Sequence, residues 1–380
     1  MKISVIGCGR WGTFHAWHAN KIGHEVTLYG RENSANFKKI SETGGNEFLT
    51  LPSTVRLTTK LFDAVNFADV IVISVGAQSL RKFLQELVAL TEIDFSCKKF
   101  VLAMKGLERG TGKRLTTVFD EVMNKIPAAA VTSINRDVIT NERLTSVFDL
   151  QSSPTKISTE STSLKDDLKT PMQILSTVQE TSTKKIKVAV WVGPGHVQDF
   201  VKNIPNCMVM ASADENFTRE LVEIFKSPLI RFYYGSDLLG IEIGAAAKNV
   251  VGIAAGMLDG LNCSSLKGAL MARGTAELSR LISALGGDKM TVYGLSHLGD
   301  YQATLFSDYS NNRRFGENFV AGKNFDKLAE GVETVAALME LSKVTGVELP
   351  ISRAVYNILY DKQDPKEQLT ELFLRSTKSE

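Results

Sequence analysis

Cysteine is scarce and unpatterned in this chain of 380 residues. Cys8, Cys97, Cys207 and Cys263 have neither the paired spacing of a zinc site nor the density of a disulfide framework, so no metal is expected and a reducing setting is. Charge of one sign is not in surplus either. Forty-four basic against 42 acidic side chains leave a formal +2, which gives no general reason to expect nucleic acid or an anionic membrane as partner. Long apolar runs are also missing: the longest, 244–256, is interrupted by Lys248 and reads as too short to cross a bilayer. Strand-like sequence begins at Lys2, leaving no room ahead of it for a signal or transit peptide, and the expected location is cytoplasmic. No internal repeat is visible.

What is present is enough apolar sequence, 43% of residues, for two domains each with its own core. Short apolar β-type runs at 2–6, 25–29, 68–75, 99–104 and 187–192 alternate with helical spacing at 79–90 and 111–124, the pattern of a mainly parallel sheet covered by helices. After about Tyr234 the β-type runs stop, and 265–285, 325–344 and 351–360 read as helices. The expected architecture is an α/β Rossmann-type domain over 1–235 followed by an all-α domain over 236–380. A stretch at about 128–185, rich in Ser and Thr and marked by Pro154 and Pro171, reads as an insertion in the first domain.

Three groups of residues carry chemistry. Gly7-Cys8-Gly9-Arg10-Trp11-Gly12 follows a strand and opens a helix. In such a turn the first glycine permits the bend, the second lets backbone approach a pyrophosphate and the third packs helix on strand. A dinucleotide is the expected ligand, NADPH or NADH, with Arg31 after the second strand placed to pair with a 2′-phosphate while Glu32 leaves NADH open. Second, Lys248 stands alone among small residues in 244–256. Partial burial there would lower its pKa and suit it to trade a proton; taken alone it reads as a stem that snorkels its ammonium to the surface, and the glycine turn and the polar cluster downstream favour the first reading. Third, 294–304 with Asp300 and Thr304, and 310–316 with Ser310, Asn311, Asn312 and Arg313, offer an acid to orient a lysine and hydroxyl, amide and guanidinium groups suited to phosphate; each piece alone reads equally as a helix cap or a solvated face. Lys105, after the strand at 99–104, and Gly193-Pro194-Gly195-His196, after that at 187–192, lie at strand ends that face the ligand crevice of an open sheet.

On these residues the chain resembles the bacterial-type NAD(P)-dependent glycerol-3-phosphate dehydrogenases. The glycine turn with Trp11, Lys105-Gly106-Leu107-Glu108, Gly193-Pro194, Glu242 with Gly244, Lys248-Asn249-Val250, Ala272-Arg273-Gly274, Gly299-Asp300 and Asn312-Arg313-Arg314 stand in that family's order. The resemblance implies reversible hydride transfer between NAD(P)H and dihydroxyacetone phosphate, giving sn-glycerol 3-phosphate for phospholipid synthesis. Lys248 would be the general acid/base, Asp300 its support and Lys105 a contact to substrate and cofactor. Gly193, Gly195, Asn249, Thr304, Ser310, Asn311, Asn312 and Arg313 would meet the substrate, and Gly7, Gly9, Arg10, Trp11, Gly12, Arg31, Val197, Asn311 and Glu330 the cofactor. A homodimer is expected on the same ground.

The departures fall on the substrate side. Asn311 stands where the family usually has an arginine, a loss of about 1.5–3 kcal/mol of charge-assisted hydrogen bonding unless Arg313 or Arg314 swings in. Gly195, His196, Val197, Asp199, Ser296 and His297 also depart from the family's pattern. Two other functions therefore stay open: a reductase of the same family acting on another phosphorylated or polyol ketone, touched by His196 or His297, and a non-catalytic NAD(P)-binding sensor that uses 128–185 to contact a partner.

Overall fold

The structure, a computed structural model, describes residues 1–125 and 185–376, so the stretch at 128–185, apart from Lys185, lies outside the described residues. The first half runs β1 (Lys2–Ile6), α1 (Arg10–Lys21), β2 (Glu25–Tyr29), α2 (Ala35–Thr43), β3 (Arg56–Thr58), α3 (Leu61–Phe67), β4 (Val70–Ile73), α4 (Leu80–Val88), β5 (Lys99–Leu102), α5 (Leu115–Met123), β6 (Val188–Val192), α6 (Val197–Val201), β7 (Asn206–Ser212), α7 (Glu215–Phe225) and β8 (Ile230–Gly235). These eight strands form one sheet in the order β3-β2-β1-β4-β5-β6-β7-β8, parallel throughout except for the antiparallel pair β6–β7. The central strands are apolar because helices cover both faces: all of β4 (VIVI) is buried, with Val70 and Val72 in one core and Ile71 and Ile73 in the other. Strand order reverses between β1 and β4. The loops after β1, β4, β5 and β6 all leave the same edge of the sheet there, which is where open α/β sheets form a ligand crevice.

The second half is helical: α8 (Leu238–Gly260), α9 (Lys267–Ala284), α10 (Asn311–Val320), α11 (Gly331–Thr345), α12 (Pro350–Leu359) and α13 (Pro365–Phe373). The helix expected at 325–344 begins later, at Gly331. The amides of Asn311 and Asn312 hold the preceding stretch open, Asn311 donating to the Leu328 carbonyl at 3.1 Å and Asn312 accepting from the Gly331 N–H at 2.9 Å. Strands β3, β7 and β8 were not among the expected runs. β3 has three residues, β7 (NCMVMAS) is built mainly on Met, Ala and Cys with Val209 its one β-branched side chain, and β8 (IRFYYG) is largely exposed.

Helix α8 organises this half. Gly240, Gly244, Gly252, Gly256 and Gly260 recur every four residues, a row that winds slowly round the helix, and Lys248 occupies the remaining place in it. Other chain lies directly on the glycines: a Cβ at Gly256 would sit 1.8 Å from the Arg313 carbonyl oxygen, and one at Gly252 would meet Thr304 Cγ2 at 2.8 Å. The start of α8 is tied to the sheet half by Glu242, which accepts from Thr116 N–H at 3.0 Å, Thr116 Oγ1 at 2.6 Å and Arg114 Nη1 at 2.7 Å.

One expectation needs correction. The apolar run around Lys248 is part of a helix of 23 residues with a mean hydropathy of 1.5 over its most apolar stretch, long and apolar enough to span a bilayer by those measures alone. Here 83% of that stretch is buried against the rest of the protein, as in the core helix of a globular domain. Gly256→Ala tests the backbone contact. Forcing α8 from α10 is expected to cost about 1–3 kcal/mol in urea denaturation, as overpacking does, and a variant as stable as the parent would show that the contact does not set the helix spacing.

Candidate active site

A cavity of about 640 Å³ opens at the strand-order reversal, between the sheet and the helical half. Its floor is the turn after β1. Gly7 has φ +110°, and a Cβ there would lie 2.3 Å from the Ser74 carbonyl oxygen; one on Gly12 would lie 1.8 Å from the Gly7 carbonyl oxygen. Gly9 differs, since a Cβ there would meet nothing within 4 Å. The backbone of Gly9 therefore faces open space at the N-terminus of α1, a cradle that fits a dinucleotide's pyrophosphate.

Opposite that turn stands a cluster of three charges. Lys248, 7% exposed, donates from Nζ to Asp300 Oδ2 at 2.8 Å and to Thr304 Oγ1 at 2.7 Å. Lys105, at the end of β5, reaches the same Asp300 Oδ2 at 2.6 Å and also donates to the Gly193 carbonyl at 2.7 Å. Two ammonium groups thus share one buried carboxylate oxygen. Burial pushes the Lys248 ammonium down to about 8; nearby Asp300 opposes the shift and Lys105 reinforces it. Thr304 lies in a single π-helical turn, Gln302–Phe306, which carries its hydroxyl onto the lysine.

The cavity collects many of the residues singled out above. Gly9, Arg10, Trp11, Lys105, Gly195, Lys248, Asn249, Asp300, Thr304, Ser310, Asn311, Asn312 and Glu330 line it. Ser310 also caps α10, accepting from the Arg313 N–H at 3.3 Å. Glu330 lies beside Gly76 and Gly106, and burial raises its carboxyl to about 7. Gly7 and Gly12 shape the turn from behind, and Gly193 contributes through its carbonyl.

Other expected residues are not brought to the cavity. Arg31 is drawn away by Glu86 on α4, donating to both carboxylate oxygens at 3.2 and 3.3 Å on the open surface. Val197, the first residue of α6, is fully buried in the core. Arg313 is held by Asp259 at 2.8 Å, Asp308 at 2.6 Å, Glu317 at 3.2 Å and the Ser307 carbonyl at 3.1 Å, so it closes the end of α8 and cannot stand in for the arginine missing at 311. Arg314 packs over Phe325 and is likewise outside the lining. His297 is sealed between the Gly244 carbonyl at 2.9 Å and Tyr301 Oη at 2.7 Å, which leaves His196 as the histidine of that pair on the cavity wall.

Several lining residues went unread. His15 and Trp191 form part of the wall, their rings 4.5 Å apart; the spacing of four from Trp11 to His15 on α1 was the available signal. Ser74, Val75 and Gly76 follow β4 at the same sheet edge that pointed to Lys105. A second cavity, of about 540 Å³, lies among α8, α9, α12 and α13, is lined by residues such as Met257, Leu258 and Ile351, and contains none of the charged cluster.

Sequence comparison agrees with this geometry. Residues 2–134 match the model for the NAD-dependent glycerol-3-phosphate dehydrogenase N-terminus, and 237–370 match that for the C-terminus. A glycerol-3-phosphate dehydrogenase [NAD(P)+] of Pelodictyon phaeoclathratiforme is 30% identical, with 100% of this chain and 99% of that protein covered. The chain belongs to the NAD-dependent glycerol-3-phosphate dehydrogenase family. The protein of that name from Clostridium botulinum is also 30% identical, over 100% of this chain and 99% of its own length. The crystal structure of glycerol-3-phosphate dehydrogenase from Coxiella burnetii superposes with a TM-score of 0.76 over 98% of this chain and 99% of that one, at 23% identity, and so shares the fold. The protein is accordingly an oxidoreductase that uses NADH or NADPH.

Asp300→Asn tests the cluster. With its carboxylate gone, the buried Lys248 ammonium is left without a counter-charge beside the half-buried Lys105, and the expected loss is about 3–5 kcal/mol at pH 7. Without Asp300 the Lys248 ammonium is pushed down further than in the parent, so stability should recover as pH rises toward 10.5, through the range where the folded protein holds fewer protons than the unfolded chain. A loss below about 1 kcal/mol by denaturant titration would remove Asp300 as the counter-charge.

Proposed function

We propose that the protein reversibly reduces dihydroxyacetone phosphate to sn-glycerol 3-phosphate, with Lys248 as general acid in reduction and general base in oxidation. The observation that carries this is a buried ammonium, pushed down to about 8, that two neighbours hold at the wall of the cavity containing the glycine turn. Bound NAD(P)H supplies the hydrogen and electron pair that reduce the carbonyl carbon. Lys248 gives a proton to the carbonyl oxygen as charge develops on it, and a donor with a pKa near the working pH is best suited to do so. Asp300 keeps the ammonium in place, and Thr304 fixes its direction by accepting one of its three N–H bonds. Lys105, on the same Asp300 oxygen, places a second positive charge next to Lys248. In the reverse direction neutral Lys248 accepts the hydroxyl proton. The remaining substrate contacts fall on Gly195, Asn249, Ser310, Asn311 and Asn312, and cofactor contacts on Gly9, Trp11 and Glu330, all on the cavity wall. The setting implied by the family resemblance, a cytoplasmic homodimer feeding glycerophospholipid synthesis with a domain boundary near residue 235, belongs to the same proposal.

A second reading, a ketone bearing further hydroxyls, is favoured by one observation: the buried Nε2 of His196, on the cavity wall, has no protein partner among the described residues. Faster turnover of a longer ketose phosphate than of dihydroxyacetone phosphate would decide for it.

Lys248→Ala is expected to abolish turnover, followed at 340 nm, and to leave the Kd for NADPH nearly unchanged; a tenth of the parent rate would exclude Lys248 as the acid/base. In the parent, kcat/KM for reduction should be flat below about pH 8 and fall above it, because the protonated lysine is the active form. Oxidation should show the opposite limb.

A further inference from the structure

The cavity is lined by four lysine and arginine side chains, Arg10, Lys105, Lys248 and Lys327. Three have a counter-charge: Lys105 and Lys248 share Asp300 Oδ2, and Lys327 faces Glu47 at 3.5 Å. Arg10 has none at ion-pair distance among the described residues. Its Nη1 donates to the Tyr309 carbonyl at 3.2 Å and its Nη2 to Asn311 Oδ1 at 3.4 Å, while its guanidinium lies 4.6 Å from the Phe48 ring centroid. Both acceptors are neutral and both belong to the helical half, although Arg10 itself opens α1 in the sheet half. Burial lowers its pKa, Glu47 opposes this through space only, and Arg314 adds to the lowering. A partly buried guanidinium with five N–H donors, two engaged by neutral oxygens, leaves its charge and remaining donors to an anion.

We propose that Arg10 holds the phosphate group of the substrate, reaching across the crevice to the edge formed by Ser310, Asn311 and Asn312. This deepens the reading of the site as a reductase of a phosphorylated ketone and rests on it. The anion is a phosphate group, whose sources in this cavity are the substrate and the cofactor, through its pyrophosphate or, in NADPH, its 2′-phosphate. The direction of the guanidinium decides between them, because its hydrogen bonds draw it from the Gly9 turn toward Tyr309 and Asn311. A planar fork reads phosphate bidentately. At a position where the chain carries an amide, Asn311, the guanidinium comes from the opposite wall.

The test uses the full-length protein with Arg10→Met, Arg10→Lys and the double variant Arg10→Met/Asn311→Arg. Losing charge-assisted bonds to phosphate should raise KM for dihydroxyacetone phosphate about 10- to 100-fold in Arg10→Met, with little change in kcat. KM for unphosphorylated dihydroxyacetone and the Kd for NADPH should not move, whereas loss of a merely structural strap between the halves would disturb both. Arg10→Lys, which keeps a charge, should fall between parent and Met variant, and Asn311→Arg should restore much of the loss in the double variant. Calorimetric titration of inorganic phosphate into the NADPH complex supplies a reading without turnover, with binding about tenfold or more weaker in Arg10→Met. An unchanged KM for the phosphorylated ketone, an equal loss of NADPH affinity, or phosphate binding indifferent to Arg10 would each overturn the proposal. If the parent fails to reduce dihydroxyacetone phosphate while Arg10 still governs phosphate binding, the named substrate is wrong and the phosphate assignment stands.

Discussion

The arrangement depends on one constraint: a row of glycines spaced four apart on α8 with a lysine in one place of the row. Without side chains at Gly252, Gly256 and Gly260, the π-helical turn and α10 lie close against the helix. That closeness has two effects at once. It excludes water from around Lys248, lowering the ammonium's pKa, and it brings Thr304 to 2.7 Å from the same nitrogen. A larger residue at Gly252 or Gly256 would move these segments outward and let solvent in, and the lysine would drift back toward an ordinary surface amine.

Charge is distributed on the two sides of this helix in different ways. At its C-terminal end Asp259 takes both Lys267 at 2.7 Å and Arg313 at 2.8 Å, with Asp308 and Glu317 adding further acid, so the positive charges there are fully met. At the cavity a lone Asp300 serves two lysines through one oxygen. The first cluster fastens helices; the second leaves a net positive charge where an anionic substrate must enter. Both use the same residue types at similar distances, and only the ratio of acids to bases separates structural from chemical use.

That ratio explains why the sequence was legible in some places and opaque in others. The mainly parallel sheet, the glycine turn, and the lysine among small residues could be read because each is a local pattern: alternating elements, spacing within a single turn, an isolated charge in an apolar run. Long-range partners were not readable. Arg313 stands beside Asn312 in the chain and looked like a phosphate ligand, but Asp259, 54 residues earlier, claims it. Arg31 was lost to Glu86 in the same way, and His297 to a carbonyl on α8. In each case a charged or polar side chain near the site was satisfied by a group that the linear pattern could not place. Arg10 is the converse, since its location in the glycine turn gave no sign that its guanidinium turns across the crevice to Tyr309 and Asn311.

The π-helical turn at Gln302–Phe306 fits an extra residue into a circuit that an α-helix closes with fewer. Its usefulness therefore lies in a count of residues more than in which residues they are. Removing any of the four residues other than Thr304 would let the segment relax to α geometry and rotate the chain beyond it by about 100°, turning Thr304 or the approach to Asn311 away from the lysine although every side chain that touches it is still encoded. Substitution along this stretch and deletion within it are consequently different kinds of event: the first edits a contact, and the second rewinds the screw on which the contacts are mounted.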